Sequence, residues 1–489
     1  FRDRHVEVIL TAMSAVNSYT LLDFADEIIA IEPDAVLIYA GHNEFIGVLG
    51  VGSSFASGHA PAITRLFLGL RELRLVQLMQ QLLSAFKGDA APRTGTLMAT
   101  IASERSIPFG SQLFEQGVAQ FQTNLGALLE RYQSAGIPVF VGTLASNQKD
   151  QAPFMGGPTN PDEQDWPQQT TQVKRLLNES RFADALGAAQ ALVRTDSAAA
   201  DGHYLLGQAQ LGLRQFVDAG KSLRKASDLD RLRFRAPGKF DSIIRETAAQ
   251  YEATLVEVGK YFADASPNGI TGSEFMLEHL HPNAPGYLLL ADAYYDAMAE
   301  FGLGLDWQTR VPDERARELQ PLSRIEELHG SYRLGALIND WPFVAQKKNY
   351  SPPRPRNPEQ QIAQDWYTRK TDYLGAKNQA LVHYQETGDF DEAARIAINL
   401  ADAFPFEAQP HFVAGMMLVR QTPPQGLRAI PLFRRAATLQ PGNAAYLETL
   451  ARAYMINGFH DEALETANKV LKLAPDNALA KQIINYHKR

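Results

Sequence analysis

Four short polar segments contain the residue types that acid–base and oxyanion chemistry requires. A histidine can act as a general base, a carboxylate can orient it, and an asparagine amide can donate to a developing negative charge. Each segment comes after an apolar run of strand length along the chain. The segments are TAMSAVNSYT (11–20), GHNEF (41–45), LASNQKDQAPF (144–154) and EHLHPN (278–283).

The apolar runs are typical of strands buried on both faces of a parallel sheet, and helical patterns separate them. Ligands of such sheets bind beyond the carboxyl ends of the strands, so the four segments are predicted to converge there. We therefore expect an α/β fold with a doubly wound parallel sheet. The predicted strands are Val6–Leu10, Ala35–Tyr39, Val139–Thr143 and Thr254–Val258, and the predicted helices cover Leu21–Ile31, Ile63–Phe86, Ser111–Ala135 and Tyr287–Phe301.

Each polar segment also has a simpler structural interpretation. Gly41 to Glu44 could form a turn at a solvated strand end, Asn147 could form an Asx turn, and His281 could be a packing or helix-capping histidine. The three arginines of DRLRFR (231, 233 and 235) could bind an anionic group, but a polar face is the simpler interpretation.

A metal site is a further alternative, because Glu278, His279 and His281 lie within four residues of one another. No additional ligand stands at a suitable spacing from them, so we expect no metal. We expect no cofactor either.

Taken together, the segments resemble the SGNH hydrolase family, also called GDSL-type esterases. The resemblance rests on a strand followed by Gly-x-Asn-acid (41–44) and on acid-x-x-His-Pro-Asn (278–283) before a helix. It covers roughly residues 5–155 and 235–303. It implies a serine esterase or an acyl (acetyl) transferase, with a small ester or an acylated glycan as substrate.

The resemblance also implies roles for individual residues. His281 would be the general base, and Glu278 would orient it, although the family usually has Asp at that position. The side-chain amide of Asn43 and the backbone N–H of Ala15, where the family usually has Gly, would form the oxyanion hole. Three further residues would support the site or line the substrate cleft: Gly41, His42 and Asn147.

The family's nucleophilic serine follows its first strand in a Gly-Asp-Ser segment, which this sequence lacks before residue 11. Ser14 and Ser18 correspond to positions beside the oxyanion hole, not to the attacking position. We therefore expect the nucleophile either to lie upstream of Phe1, where a signal or an anchor could also lie, or to be absent. The chain as given should not hydrolyse esters, and the resemblance favours an extracytoplasmic location (periplasmic, membrane-anchored or secreted).

The C-terminal third is helical and periodic. Its alanines and its prolines keep one register, with successive separations of 36 and 34 residues: Ala393, Ala429 and Ala463, and Pro405, Pro441 and Pro475. The pattern resembles the tetratricopeptide repeat (TPR), a helical hairpin of 34 residues. The two extra residues fall near QTPPQG (421–426), where a turn tolerates an insertion.

The same register recurs earlier, because Ala185 and Ala219 are 34 residues apart. We interpret residues 172–230 as a pair of such repeats inserted into the α/β domain, the alternative being two ordinary amphipathic hairpins. The expected organisation is an SGNH-like domain in two parts (1–165 and 233–304), a TPR-like helical pair (166–232), a linker (305–375) and a TPR array (376–489).

Composition narrows the possible partners. The net charge is −8 with no long run of like charges, so the sequence gives no support for binding nucleic acid. It contains no cysteine and no run of apolar residues long enough to span a membrane. We expect a protein partner, or self-association, through the repeats. The alternative to an enzyme is a TPR scaffold or a self-assembling structural protein with a degenerate hydrolase-like domain.

Overall fold

The computed structural model describes residues 6–47, 49–53, 106–160, 162–304, 307 and 310–487. The chain divides into two compact units. The first comprises Phe1–Arg317 and Asp340–Lys347, and the second comprises Glu318–Asn339 and Lys348–Arg489. The predicted helix Ile63–Phe86 lies outside the described residues.

The first unit contains a parallel sheet of three strands in the described part of the chain. These are β1 (Val36–Ile38), β2 (Val139–Gly142) and β3 (Thr254–Val256), with β2 in the centre. They match three of the predicted strands. The prediction of a strand at Val6–Leu10 is wrong, because this run is irregular and its Val8 and Leu10 are 86% and 83% exposed. An apolar run forms a strand only where another strand supplies hydrogen bonds and its side chains are covered.

Helices cover both faces of this sheet. Ile38, Val139 and Val141 pack against α3 (Gln112–Ser134) and α8 (Lys239–Gln250) on one face, whereas Phe140 and Val256 pack against α9 (Val258–Ala265) and α10 (Ala284–Phe301) on the other. The described sheet is thus much smaller than the doubly wound sheet that the sequence predicted, and most of the described chain is helical. The helices of this part are α1 (Ser18–Asp23), α2 (Ala25–Ala30), α3 (Gln112–Ser134), α8 (Lys239–Gln250), α9 (Val258–Ala265) and α10 (Ala284–Phe301).

Local capping fixes the helix that follows the histidine segment. The side chain of Asn283 accepts a hydrogen bond from the N–H of Gly286 (3.0 Å), and Pro285 occupies the first turn. The helix ends at Gly302, which adopts a left-handed conformation (φ +75°). α10 therefore begins three residues after His281.

Four helices form two antiparallel pairs between β2 and β3. They are α4 (Trp166–Asn178), α5 (Phe182–Thr195), α6 (Ala200–Gly212) and α7 (Phe216–Leu229). Ala185 and Ala219, which define the repeat register in the sequence, are both fully buried. Small residues at these positions let paired helices approach closely.

The second unit is helical in its described part. Its repeats comprise α14 (Tyr373–Thr387), α15 (Phe390–Ala403), α16 (Ala408–Arg420), α17 (Gly426–Leu439), α18 (Ala444–Ile456), α19 (His460–Leu473) and α20 (Ala478–His487). The register alanines Ala393, Ala429 and Ala463 are fully buried. The register prolines lie in the turns between helices, and the QTPPQG insertion lies between α16 and α17.

The region predicted to be a linker (305–375) has helices of its own. It contains α11 (Asp313–Glu318), α12 (Arg324–Ile338) and α13 (Pro358–Tyr367). A capping box starts α12, in which Ser323 and Glu326 satisfy each other's backbone N–H groups. The longest described stretch of this region without helix or strand is 339–357, which contains most of its prolines. None of the described helices is both long enough and apolar enough to cross a membrane.

Candidate functional site at the carboxyl ends of the strands

The polar segments after β1 and β2 contact each other where the strands end. The Tyr39 hydroxyl accepts a hydrogen bond from the Ala145 N–H (3.0 Å). The segment after β2 also reaches the histidine segment, because the N–H of Asn147 donates to the carbonyl of His279 (3.0 Å). The parallel sheet therefore brings residues 144–154 and 278–283 together, as the sequence predicted for this edge.

Glu278 organises the loop that carries His281. Its buried carboxylate accepts hydrogen bonds from the N–H groups of His279 (2.8 Å) and His281 (2.9 Å), and it contacts Nδ1 of the His281 ring. The loop is narrow, with a bridge between Met276 and Pro282. The longer Glu side chain thus reaches the ring nitrogen that an orienting acid must hold.

This contact places the proton of a neutral His281 ring on Nδ1 and leaves Nε2 as the acceptor. The side chain of His281 is 56% exposed, so Nε2 can be reached by a reacting molecule. Partial burial lowers the pKa of His281 below its ordinary value of 6.5, which keeps the ring neutral and able to accept a proton at pH 7. Glu278 and His281 together have the geometry of a general base and its orienting acid.

His42 lies close to His281. Burial, and then the neighbouring His281, lower the pKa of His42 to about 4. Its Nδ1 accepts a hydrogen bond from the N–H of Ala236 (3.1 Å), so the proton of the neutral ring is on Nε2. The alternative of a solvated strand end therefore does not apply to His42, because its ring is buried and accepts a hydrogen bond from the segment after the helical insertion.

The two residues of the predicted oxyanion hole approach the same glycine. A Cβ on Gly47 would lie 2.7 Å from both the Ala15 carbonyl oxygen and the Asn43 Cβ. Ala15 adopts a left-handed conformation (φ +63°), which is unfavourable for a residue with a Cβ and natural for glycine. In the described part of the chain the Ala15 N–H makes no backbone hydrogen bond.

A buried network, which the sequence did not reveal, joins the Ala15 segment to the Asn43 segment. Glu44 is fully buried, and its carboxylate accepts hydrogen bonds from the Ser18 N–H (3.0 Å), the Ser18 hydroxyl (2.7 Å) and the Gln120 amide (2.5 Å). Burial raises the pKa of Glu44. Ser18 also accepts a hydrogen bond from Asn124 (2.9 Å), so its hydroxyl is committed to structure, whereas Ser14 is exposed.

Gly41 and Asn147 shape the site. Gly41 has a φ of +152°, so its conformation favours glycine, and a Cβ there would lie 2.6 Å from the end of the Leu144 side chain, which would have to shift. The Asn147 side chain accepts a hydrogen bond from the N–H of Asp150 (2.8 Å), three residues on, whereas an Asx turn would bond to the N–H two residues on.

The arginines of DRLRFR do not form the exposed polar face that the sequence favoured. Arg233 and Arg235 are only 1% and 4% exposed. Arg235 pairs with the buried Asp230 (3.3 Å) and donates to the carbonyl of Asn147 (2.9 Å). Arginines that alternate with apolar residues in a sequence do not reveal that backbone carbonyls and a carboxylate surround them in the fold.

His279 is enclosed by aromatic rings. Its ring centroid is 5.1 Å from that of Phe154, 5.5 Å from Phe343 and 6.1 Å from Phe234. Trp341 packs on Phe234 at 5.8 Å. Burial lowers the pKa of His279 far below its usual range, and no group of three potential metal ligands occurs in the described residues.

The helical insertion and the C-terminal helices can now be compared with known families. Two segments match protein-family models described as tetratricopeptide repeat, at residues 170–231 and 425–484. The chain contains tetratricopeptide repeats. The first TPR match covers most of α4 to α7 and the second covers α17 to α19 and most of α20, so TPR repeats occur in both units.

The chain is also similar to a solved structure, the crystal structure of the P58(IPK) TPR domain. The two share 12% sequence identity over 66% of this chain and 97% of that chain, with a TM-score of 0.21. No curated protein matches the chain.

Proposed function

We propose that this protein is an interaction scaffold that binds protein partners through its TPR repeats. The matches to TPR models at residues 170–231 and 425–484 carry this proposal. Helices α14 to α16 precede the second match and continue its pairing of antiparallel helices. Stacked repeats of this kind present extended surfaces to partners, and self-association is the alternative use of such a surface.

Substitutions on the first helices of the repeats test this proposal. Val382 on α14 and Ile456 on α18 are 51% and 76% exposed, and Leu427 on the second helix α17 is 60% exposed. We expect Val382→Glu and Ile456→Glu to abolish association. Binding to a protein partner would be detected by cross-linking and mass spectrometry, and binding to a second copy by light scattering. Leu427→Glu is the matched control. Equal binding by all three variants and the unaltered protein would contradict a role for the first helices.

A second candidate function is an SGNH-type ester hydrolase or acyl transferase site in the first unit. It is favoured by the contacts of Glu278 with Nδ1 and the N–H of His281, which leave Nε2 available. The proximity of His42 to His281 and of Ala15 to Asn43 supports it. The extracytoplasmic location and the domain boundaries inferred from the sequence belong to the same proposal.

In this second function, Nε2 of His281 accepts the proton of an attacking hydroxyl while the hydroxyl oxygen bonds to the ester carbonyl carbon. The carbonyl oxygen becomes an oxyanion, to which the Asn43 amide and the Ala15 N–H donate. His281 then returns the proton to the departing alcohol as the ester bond breaks. Neither Ser14, which is exposed, nor Ser18, which is bound to Glu44, is proposed as the attacking group.

Hydrolysis of p-nitrophenyl acetate by the natural full-length protein tests the second function. We expect His281→Ala to reduce kcat/KM by about 10²- to 10⁴-fold, and Asn43→Ala to reduce kcat by about 10²- to 10³-fold. His460→Ala, at an exposed histidine of the second unit, is the control. If hydrolysis is absent or does not depend on His281, only the scaffold function remains.

A further inference from the structure

The loop of residues 147–159 lies against the segment that carries the candidate base. Its Gln148 and Lys149 N–H groups both donate to the carbonyl of Thr271 (3.0 Å each), and its Asn147 N–H donates to the carbonyl of His279 (3.0 Å). Asp150 accepts hydrogen bonds from the N–H and hydroxyl of Ser273 (2.7 Å each). A displacement of this loop would therefore move the backbone next to Glu278 and His281.

The other side of the loop is held by the inserted TPR pair. Tyr204 and Gln208, one turn apart on α6, both donate to the carbonyl of Lys149 (3.2 and 2.6 Å). The N–H of Asp201, in the first turn of α6, donates to the carbonyl of Gly156 (2.8 Å). A Cβ at Gly156 would collide with the Asp201 carboxylate, so the helix and the loop are in direct contact.

Two charged residues that follow α7 complete the attachment. The Asp230 carboxylate accepts hydrogen bonds from the N–H groups of Phe154 (2.8 Å) and Met155 (2.9 Å). Arg235 donates to the carbonyls of Asn147 (2.9 Å) and Gln151 (3.3 Å). Both charged side chains are only 3% exposed and pair with each other. Hydrogen bonds to buried charged groups are stronger than those that a surface loop makes with water.

We infer that the inserted TPR pair is a positioning element of the candidate site, which holds the 147–159 loop so that this loop fixes the backbone beside Glu278 and His281. Tyr204, Gln208, Asp230 and Arg235 are its positioning residues. The inference rests on the second proposed function for its catalytic meaning. This face of α6 is occupied by the protein's own chain and is not open to a partner.

Hydrogen exchange on the full chain tests the attachment. We expect the double variant Tyr204→Phe, Gln208→Ala to exchange the amides of Asn147, Gln148 and Lys149 at least fivefold faster than the unaltered protein. Gln190→Ala is the matched control, because Gln190 is exposed on α5, and it should leave these rates unchanged. If the double variant does not fold, Gln208→Ala alone provides the same comparison.

The NMR titration of the His281 ring tests the positioning role. Glu278, His42 and His279 are the titratable groups that surround this ring. A loosened loop exposes the ring to water, so the double variant should raise the pKa of His281 toward 6.5, whereas the control should not. Unchanged exchange rates, or faster exchange with an unchanged His281 titration, would overturn the inference. Neither measurement requires turnover, so a failure of the ester assay is a separate result.

Discussion

Two glycines in helix interiors of the second unit have opposite surroundings. A Cβ on Gly415 in α16 would lie 2.5 Å from Cε1 and 2.7 Å from Cδ1 of Phe433, whereas a Cβ on Gly330 in α12 would meet no atom within 4 Å. Phe433 is fully buried on α17, so its ring cannot swing into solvent. Gly415 stands 36 residues before Ala451, at the repeat position where the first helix meets the second.

The two alanine substitutions should therefore have different effects on the free energy of unfolding. Replacing glycine with alanine in a helix interior stabilises it by about 1 kcal/mol. Overpacking a buried ring costs about 1 to 3 kcal/mol. We expect Gly330→Ala to raise the free energy of unfolding by about 1 kcal/mol, and Gly415→Ala to lower it by about 0 to 2 kcal/mol, from the difference of these two effects.

Native-state hydrogen exchange of the α12 and α16 amides measures these changes, because a chain with two units need not unfold in one step. Phe433→Leu removes the ring and so makes room for the new Cβ, and Gly415→Ala should be about 1 kcal/mol less destabilising in that background. Gly330→Ala is the control, because its effect on the free energy of unfolding should be the same with Phe433 and with Leu at position 433. If Gly415→Ala stabilised the protein as much as Gly330→Ala does, the close packing of paired repeat helices would be refuted.

Three further predictions concern buried polar groups. The pKa of His42 is about 4 in the folded protein and 6.5 in the unfolded chain, so the unfolded chain takes up its proton first. Acidification from pH 6.5 to 4 should therefore cost up to about 3 kcal/mol, and His42→Asn should flatten this dependence in urea titrations at several pH values. Glu326→Ala should cost about 3 kcal/mol or more, because it leaves the buried Lys377 ammonium (2.5 Å from Glu326) without this carboxylate and also breaks the capping box with Ser323, whereas Lys377→Met should change the free energy of unfolding by less than about 1 kcal/mol. Glu44→Ala should cost about 3 kcal/mol by leaving Ser18 and Gln120 without their acceptor, and an unchanged melting temperature would contradict this role.

The strands show what periodicity can and cannot predict. The apolar runs that contain Val36–Ile38, Val139–Gly142 and Thr254–Val256 identified real strands because each pairs with a neighbour in register. The run Val6–Leu10 is equally apolar, but in the described structure no strand pairs with it. Composition measures the tendency to be buried, and it does not supply the partner that a strand needs.

The candidate site also contains some contacts that the sequence could predict and others that it could not. The short-range spacing of Glu278 and His281 could be interpreted from sequence because three residues of chain fix where the two groups can meet. The links from Glu44 to Gln120 and from Arg235 to Asn147 span 76 and 88 residues and depend on the complete fold. Helix α12 could have been predicted, because Ser323-x-x-Glu326 is a local capping signal inside the predicted linker.

The assignment of Asp340–Lys347 to the first unit, between two segments of the second, has a practical consequence. A fragment ending at residue 317 would lose Trp341 and Phe343, and so would uncover the rings of Phe234 and Phe154 that they pack against. Newly exposed aromatic surface favours aggregation. Recombinant work on the histidine loop should therefore keep the polypeptide intact through Lys347 at least, because no single cut separates the two units cleanly.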